Sequence, residues 1–136
     1  MTPLLQSIKT RIRANRILNL MSQARKLSDR KEYERAYKLY REAAELGCVR
    51  AICIMGMMSY HGFGVTKNEQ MAFLLISYAA GNKDGEAQYF LGEFYRRGVG
   101  TKVNAKQAVY WFTEAANAGY EPTKAYLDCR VESVTN

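Results

Sequence analysis

A chain of 136 residues, 48% hydrophobic and 24% charged, suits one domain and can bury a core, which excludes a wholly disordered protein. The formal net charge is +7, and no run of about 18 uncharged apolar residues reads as a membrane span. One histidine and three cysteines leave little material for metal or nucleophile chemistry.

In chain order, Leu5, Ile8 and Ile12 place a short helical stretch over residues 4–12, part of an N-terminal extension at 1–14. Ile17, Leu20, Met21, Ala24 and Leu27 then give a first helix. Tyr33, Ala36, Tyr37, Tyr40, Ala43 and Ala44 give a second one, expected to start after Ser28-Asp29. This third of the chain holds the excess charge. Residues 1–41 carry eleven Lys/Arg against three acids, while the remaining 95 residues hold nine basic and ten acidic side chains. Such a block suits a solvated helix face, nucleic acid, anionic lipid or an acidic protein surface. Leu4-Leu5 is the longest early apolar run before the charges begin, so no export signal is expected and the reading is cytoplasmic. Cys48, Cys53 and Cys129 are odd in number and irregularly spaced, which suits a reducing compartment.

From residue 51 the sequence repeats with an offset of 36 and no gaps. Ala51 falls on Ala87, Gly56 on Gly92, Gly62 and Gly64 on Gly98 and Gly100, Asn68 on Asn104, Ala72 on Ala108, and Ala79-Ala80 on Ala115-Ala116. Carried backward, the register reaches Ala36, Ala43-Ala44 and Gly47, which matches Gly119. Each period reads as two helices. Ile52, Met55, Gly56 and Ser59 mark the first in one copy; Tyr89, Leu91, Gly92 and Tyr95 mark it in the other. The paired glycines break that helix by tolerating positive φ. Asn68 and Asn104 are natural N-caps for the next. Leu75, Ile76 and Ala79 in one copy, with Trp111, Phe112 and Ala115 in the other, form its buried stripe. Pro122 opens a last helix carrying Ala125, Tyr126 and Cys129. The predicted fold class is all-α: an α-solenoid of stacked antiparallel helix hairpins. It divides into a divergent first repeat at 15–50, repeats at 51–86 and 87–119, and a capping helix and tail at 120–136.

The pattern A-x-x-x-[L/M]-G…G-x-G-x-x-x-N-x-x-x-A-x-x-[W/L]-[F/I]-x-x-A-A resembles the Sel-one-like repeat, a 36-residue relative of the tetratricopeptide repeat. Met55 departs from its usual leucine, Asn68 and Asn104 from its aspartate, and Lys83 stands where Gly47 would place a glycine.

Catalysis finds no footing in the residues. Cys53 and His61 lie eight positions apart on one helix, about 12 Å of rise, far outside hydrogen-bond reach. Cys48 and Cys53 with one histidine do not make a zinc spacing, and Cys53, Met57 and His61 at steps of four are better explained by packing than by a soft metal. GFGVTK and GVGTKV lack the P-loop pattern and recur at the repeat period, which makes them turns. No enzyme activity, cofactor or metal is expected. Tyr33, Tyr37 and Tyr40 lie among basic residues but share one helix face, where core packing is the default over base stacking.

The resemblance implies a non-catalytic protein-interaction module, an adaptor or scaffold whose first helices line a concave groove. By similarity to tetratricopeptide repeats, that groove is lined by Cys53, Met57, Tyr60 and His61, then by Tyr89, Glu93, Arg96 and Arg97. Met21, Ala24 and Arg25 are the weaker equivalents in the first unit. Tyr60, Tyr89 and Arg96 are the leading candidates, since tyrosine and arginine are enriched at interface centres. The expected partner is another protein, with an acidic surface complementing the basic N-terminal third. A dedicated inhibitor, such as the immunity protein of a bacterial toxin, is the first alternative. Nucleic-acid binding through the basic helices is the second, and a homodimer through the N-terminal segment is compatible with either.

Overall fold

The computed structural model describes residues 2–122, and these fold into six helices. They are α1 (Pro3–Asp29), α2 (Tyr33–Glu45), α3 (Val49–His61), α4 (Glu69–Gly81), α5 (Gly85–Arg97) and α6 (Ala105–Asn117). No strand occurs among the described residues. Consecutive helices pack as hairpins, α1 on α2, α3 on α4 and α5 on α6, and each hairpin stacks on the next. The fold is an all-α helical repeat solenoid. The last predicted helix lies outside the described residues beyond Pro122.

The first hairpin differs from expectation in its first helix. Residues 4–12 are not a separate stretch, because α1 is continuous over 27 residues. Thr2 caps it by accepting from the Leu5 N–H at 3.3 Å, Pro3 occupies the first turn, and neither glycine nor proline interrupts the sequence after that. Ser28 and Asp29 close α1, and α2 begins after them, as expected, at Tyr33. Without a GxG break, the helix runs on past the position where α3 stops.

The glycines explain how the later units pack. A Cβ on Gly56 would stand 2.9 Å from Ile76 Cγ1, and one on Gly92 only 2.7 Å from Phe112 Cδ1. The large side chain of each second helix therefore lies directly over a glycine of its own first helix. The loop glycines act between hairpins. A Cβ on Gly64 would meet the Tyr33 carbonyl oxygen at 2.4 Å, and one on Gly100 the Glu69 carbonyl oxygen at 2.5 Å. Each loop thus rests against the first turn of the preceding hairpin's second helix. Both Gly64 and Gly100 also hold a left-handed φ, +75° and +67°, so two independent constraints select glycine there.

Asn68 and Asn104 cap α4 and α6, their side chains accepting from the Met71 and Gln107 N–H groups at 2.9 and 3.1 Å. Their own N–H groups donate back to the Ser59 and Tyr95 carbonyls, which closes each loop onto the preceding helix. The core forms two clusters. Leu20, Ala24, Ala36, Tyr40, Ala43, Ala51, Met55 and Met58 fill the first. Cys53, Ile76, Ala79, Ala80, Ala87, Leu91 and Phe94 anchor the second.

Candidate protein-binding clefts between the first helices

The helices α1, α3 and α5 leave a cleft between each successive pair. The α3–α5 cleft, about 360 Å³, is lined by Met57, Tyr60, His61, Tyr89, Phe90, Glu93, Phe94 and Arg97. Six of the eleven residues placed on the groove from sequence meet here. The α1–α3 cleft is larger, about 780 Å³, and takes in Met21, Ser22 and Arg25 from α1, Ile54 and Met58 from α3, and Phe63 from the loop. Met21 and Arg25 lie together, on this second cleft.

Three sequence assignments change. Cys53 is 1% exposed and cannot touch a partner; α3 turns it into the core between hairpins. Its thiol is pushed up to about 12, first by burial and then by the nearby Asp84 carboxylate, so it stays protonated and unreactive. Ala24 is fully buried. Arg96 is not among the residues lining the α3–α5 cleft, and its guanidinium pairs with Glu93 at 2.7 Å.

Within the α3–α5 cleft the side chains hold one another. Arg97 donates to the Tyr60 hydroxyl at 3.1 Å, with its guanidinium carbon 5.9 Å from the ring centroid, the geometry of a cation over an aromatic face. Glu93 sits between Arg96 and Arg97 and fixes both arginines. Tyr89 packs its ring near those of Phe90, Phe112 and Tyr120, which sets its orientation at the cleft floor.

A row of rings joins the two clefts. Tyr33 stacks on Phe63 at 4.7 Å, Phe63 on His61 at 5.2 Å, His61 meets Tyr60 edge-on at 4.9 Å, and Tyr60 tilts against Phe94 at 5.4 Å. Sequence reasoning missed two members, the buried Phe94 and Phe63, which is 42% exposed. Phe63 lies between the two loop glycines, and only the folding of that loop over α2 reveals that it faces Tyr33.

Arg50 was missed as well. It ion-pairs with Asp84 at 3.1 Å and with Glu86, while Asp84 also caps α5 through the Ala87 N–H at 2.9 Å. Arg50 and Glu86 are equivalent positions one repeat apart, so the pair ties the start of α3 to the start of α5 and fixes the separation of the cleft walls. Its signal is a charge reversal at one register position, visible once the repeats are aligned.

No group of three His, Cys, Asp or Glu side chains converges among the described residues. No described helix is long and apolar enough to cross a membrane.

Comparison with known proteins decides the family. The Sel1 repeat model matches residues 28–48, 49–84 and 85–120, and its second and third units begin with α3 and α5. The chain belongs to the Sel1-repeat family. Solved Sel1-repeat structures superpose on it. A Sel1 repeat protein from Oxalobacter formigenes is 36% identical with a TM-score of 0.65, covering 67% of this chain and 36% of that one. A protective antigen of uropathogenic Escherichia coli displaying an SLR fold is 27% identical with a TM-score of 0.73, covering 85% of this chain and 26% of that one. The Helicobacter pylori cysteine-rich protein B shares the fold, with a TM-score of 0.71 and 24% identity, over 90% of this chain and 93% of that one. Among curated proteins, the mouse DAP3-binding cell death enhancer 1 is 33% identical over 100 residues, covering 71% of this Sel1-repeat chain. The chain spans 18% of that relative's length. Sel1 repeats are generally protein–protein interaction modules and generally non-catalytic.

Proposed function

We propose that this Sel1-repeat chain is a non-catalytic adaptor that holds a partner protein in the α3–α5 cleft and along the aromatic row into the α1–α3 cleft. The observation that carries this reading is the convergence of Tyr60, His61, Tyr89, Glu93 and Arg97 on one cleft. Rigid rings and an oriented guanidinium give contact at small entropic cost. Arg97 above Tyr60, with the excess of positive charge in the first 41 residues, favours a partner that presents carboxylates beside an apolar side chain. The name of the mouse relative describes it as binding a protein, which supports the class of partner and no more.

The test is affinity capture from native cells with the tagged full chain, with and without nuclease, beside two variants. Arg97→Glu alters a half-exposed cation and spares the core; Tyr60→Ala opens the ring row. A protein retained by the wild type and reduced on the order of tenfold or more by both variants supports the cleft. Retention unchanged in both variants overturns it. One stoichiometric, salt-resistant partner would mark a dedicated inhibitor, several weaker ones an adaptor, and material lost with nuclease a nucleic-acid binder.

A further inference from the structure

The first ten residues of α1 have no counterpart in the repeat. By the 36-residue offset, the starts of α3 at Val49 and α5 at Gly85 correspond to a helix beginning at Arg13, so residues 3–12 project beyond the hairpin. Every residue from Thr2 to Arg16 is exposed. Four of them are large aliphatics: Leu4 at 69%, Leu5 at 52%, Ile8 at 46% and Ile12 at 62%.

These four are not scattered. At about 100° per residue they fall in one sector roughly 100° wide. The face that α1 buries, with Leu20 and Ala24, points about 130° from the middle of that sector, so the stripe is not an extension of the core face. On the same projection Lys9 and Arg16 border one edge of the stripe and Arg11 the other. From Thr2 to Ser28 the chain carries six Lys/Arg and no acid.

We propose that the α1 extension is an interfacial anchor for an anionic lipid bilayer. The aliphatic stripe enters the boundary between headgroups and acyl chains, and Lys9, Arg11 and Arg16 run their stems along it to reach the lipid charges. Charge selects this occupant. Pairing the stripe with that of a second copy would gather Lys9, Arg11, Arg13 and Arg16 from both chains with no acid between residues 2 and 28 to offset them. Nucleic acid would satisfy the cations but leave the aliphatics in water, and no aromatic side chain precedes Tyr33 to stack on a base.

The test is cosedimentation of the full chain with vesicles of phosphatidylcholine alone and of phosphatidylcholine mixed equally with phosphatidylserine. The chain should pellet with the anionic vesicles and stay in solution with the neutral ones. Ile8→Asp with Ile12→Asp, both exposed, should abolish binding while circular dichroism shows the helices intact. Replacing Lys9, Arg11 and Arg16 by alanine should lower partitioning roughly a hundredfold. Arg97→Glu should partition like the wild type, which separates this anchor from the cleft. Failure to pellet with either vesicle overturns the proposal, as does anionic binding that the Ile8/Ile12 variant retains. A self-associated species in sedimentation velocity that this variant dissolves, without vesicle binding, reassigns the stripe to a second copy.

Discussion

Replacing Gly100 with alanine tests the packing between hairpins more sharply than any core truncation. Two costs arise at this position. The backbone holds φ at +67°, and an L side chain in that region costs about 1–2 kcal/mol. The new Cβ would also lie 2.5 Å from the Glu69 carbonyl oxygen and 2.6 Å from Phe73 Cβ. Backbone on one side cannot yield as a side-chain tip does, so overpacking adds about 1–3 kcal/mol. Gly47 separates the two terms. It holds φ at +96° with nothing within 4 Å of its notional Cβ, so Gly47→Ala should cost only the conformational term, about 1–2 kcal/mol. Urea and thermal denaturation of both variants give the comparison, with each kcal/mol lowering Tm by roughly 3–5 °C at this chain length. Because Gly100 touches the preceding hairpin, its variant should also broaden or split the transition as neighbouring units uncouple. Equal losses for Gly100→Ala and Gly47→Ala would refute the claim that the loop glycines act as contacts between hairpins.

Three other outcomes follow from single residues. Lys83 holds φ +70° where its repeat equivalents are Gly47 and Gly119, so Lys83→Gly should stabilise the chain by about 0.5–1 kcal/mol in urea titrations. Asn104→Ala removes the cap on Gln107 and should cost about 1 kcal/mol, read the same way. Cys53, raised to about 12, should react with iodoacetamide at pH 8 roughly a thousandfold more slowly than an ordinary thiol, as followed by peptide mass spectrometry. The same shift has a pH signature. A thiol neutral in the fold but free to ionise when unfolded stabilises fully below about pH 9, and that contribution fades as pH rises from there through about 12. Cys53→Ala should therefore flatten the alkaline fall in stability.

The repeat and both asparagine caps were legible in the sequence because small residues recur at fixed offsets wherever backbone geometry demands them. Six of the eleven residues placed on the groove from sequence converge in one cleft for the same reason: register alone decides which face of a first helix looks along the solenoid. Register does not decide depth. Cys53 and Met57 lie one turn apart on α3, yet only the second reaches the cleft, because the first is overlaid by the start of α5 and by Arg50. Phe63 and Arg50 were missed because their partners, Tyr33 and the Asp84–Glu86 pair, lie one unit away, and single-helix periodicity carries no cross-unit signal. The length of α1 was missed because an exposed, unpartnered stretch shows no break and no core stripe to follow.

The most direct test of protein recognition by the clefts is hydrogen–deuterium exchange of the chain alone and in complex with its captured partner. Partner binding to the clefts should slow exchange in peptides covering residues 57–63 and 89–97, with residues 69–81 unchanged. Protection confined to α4, or to α1 with the α3–α5 cleft untouched, would contradict it.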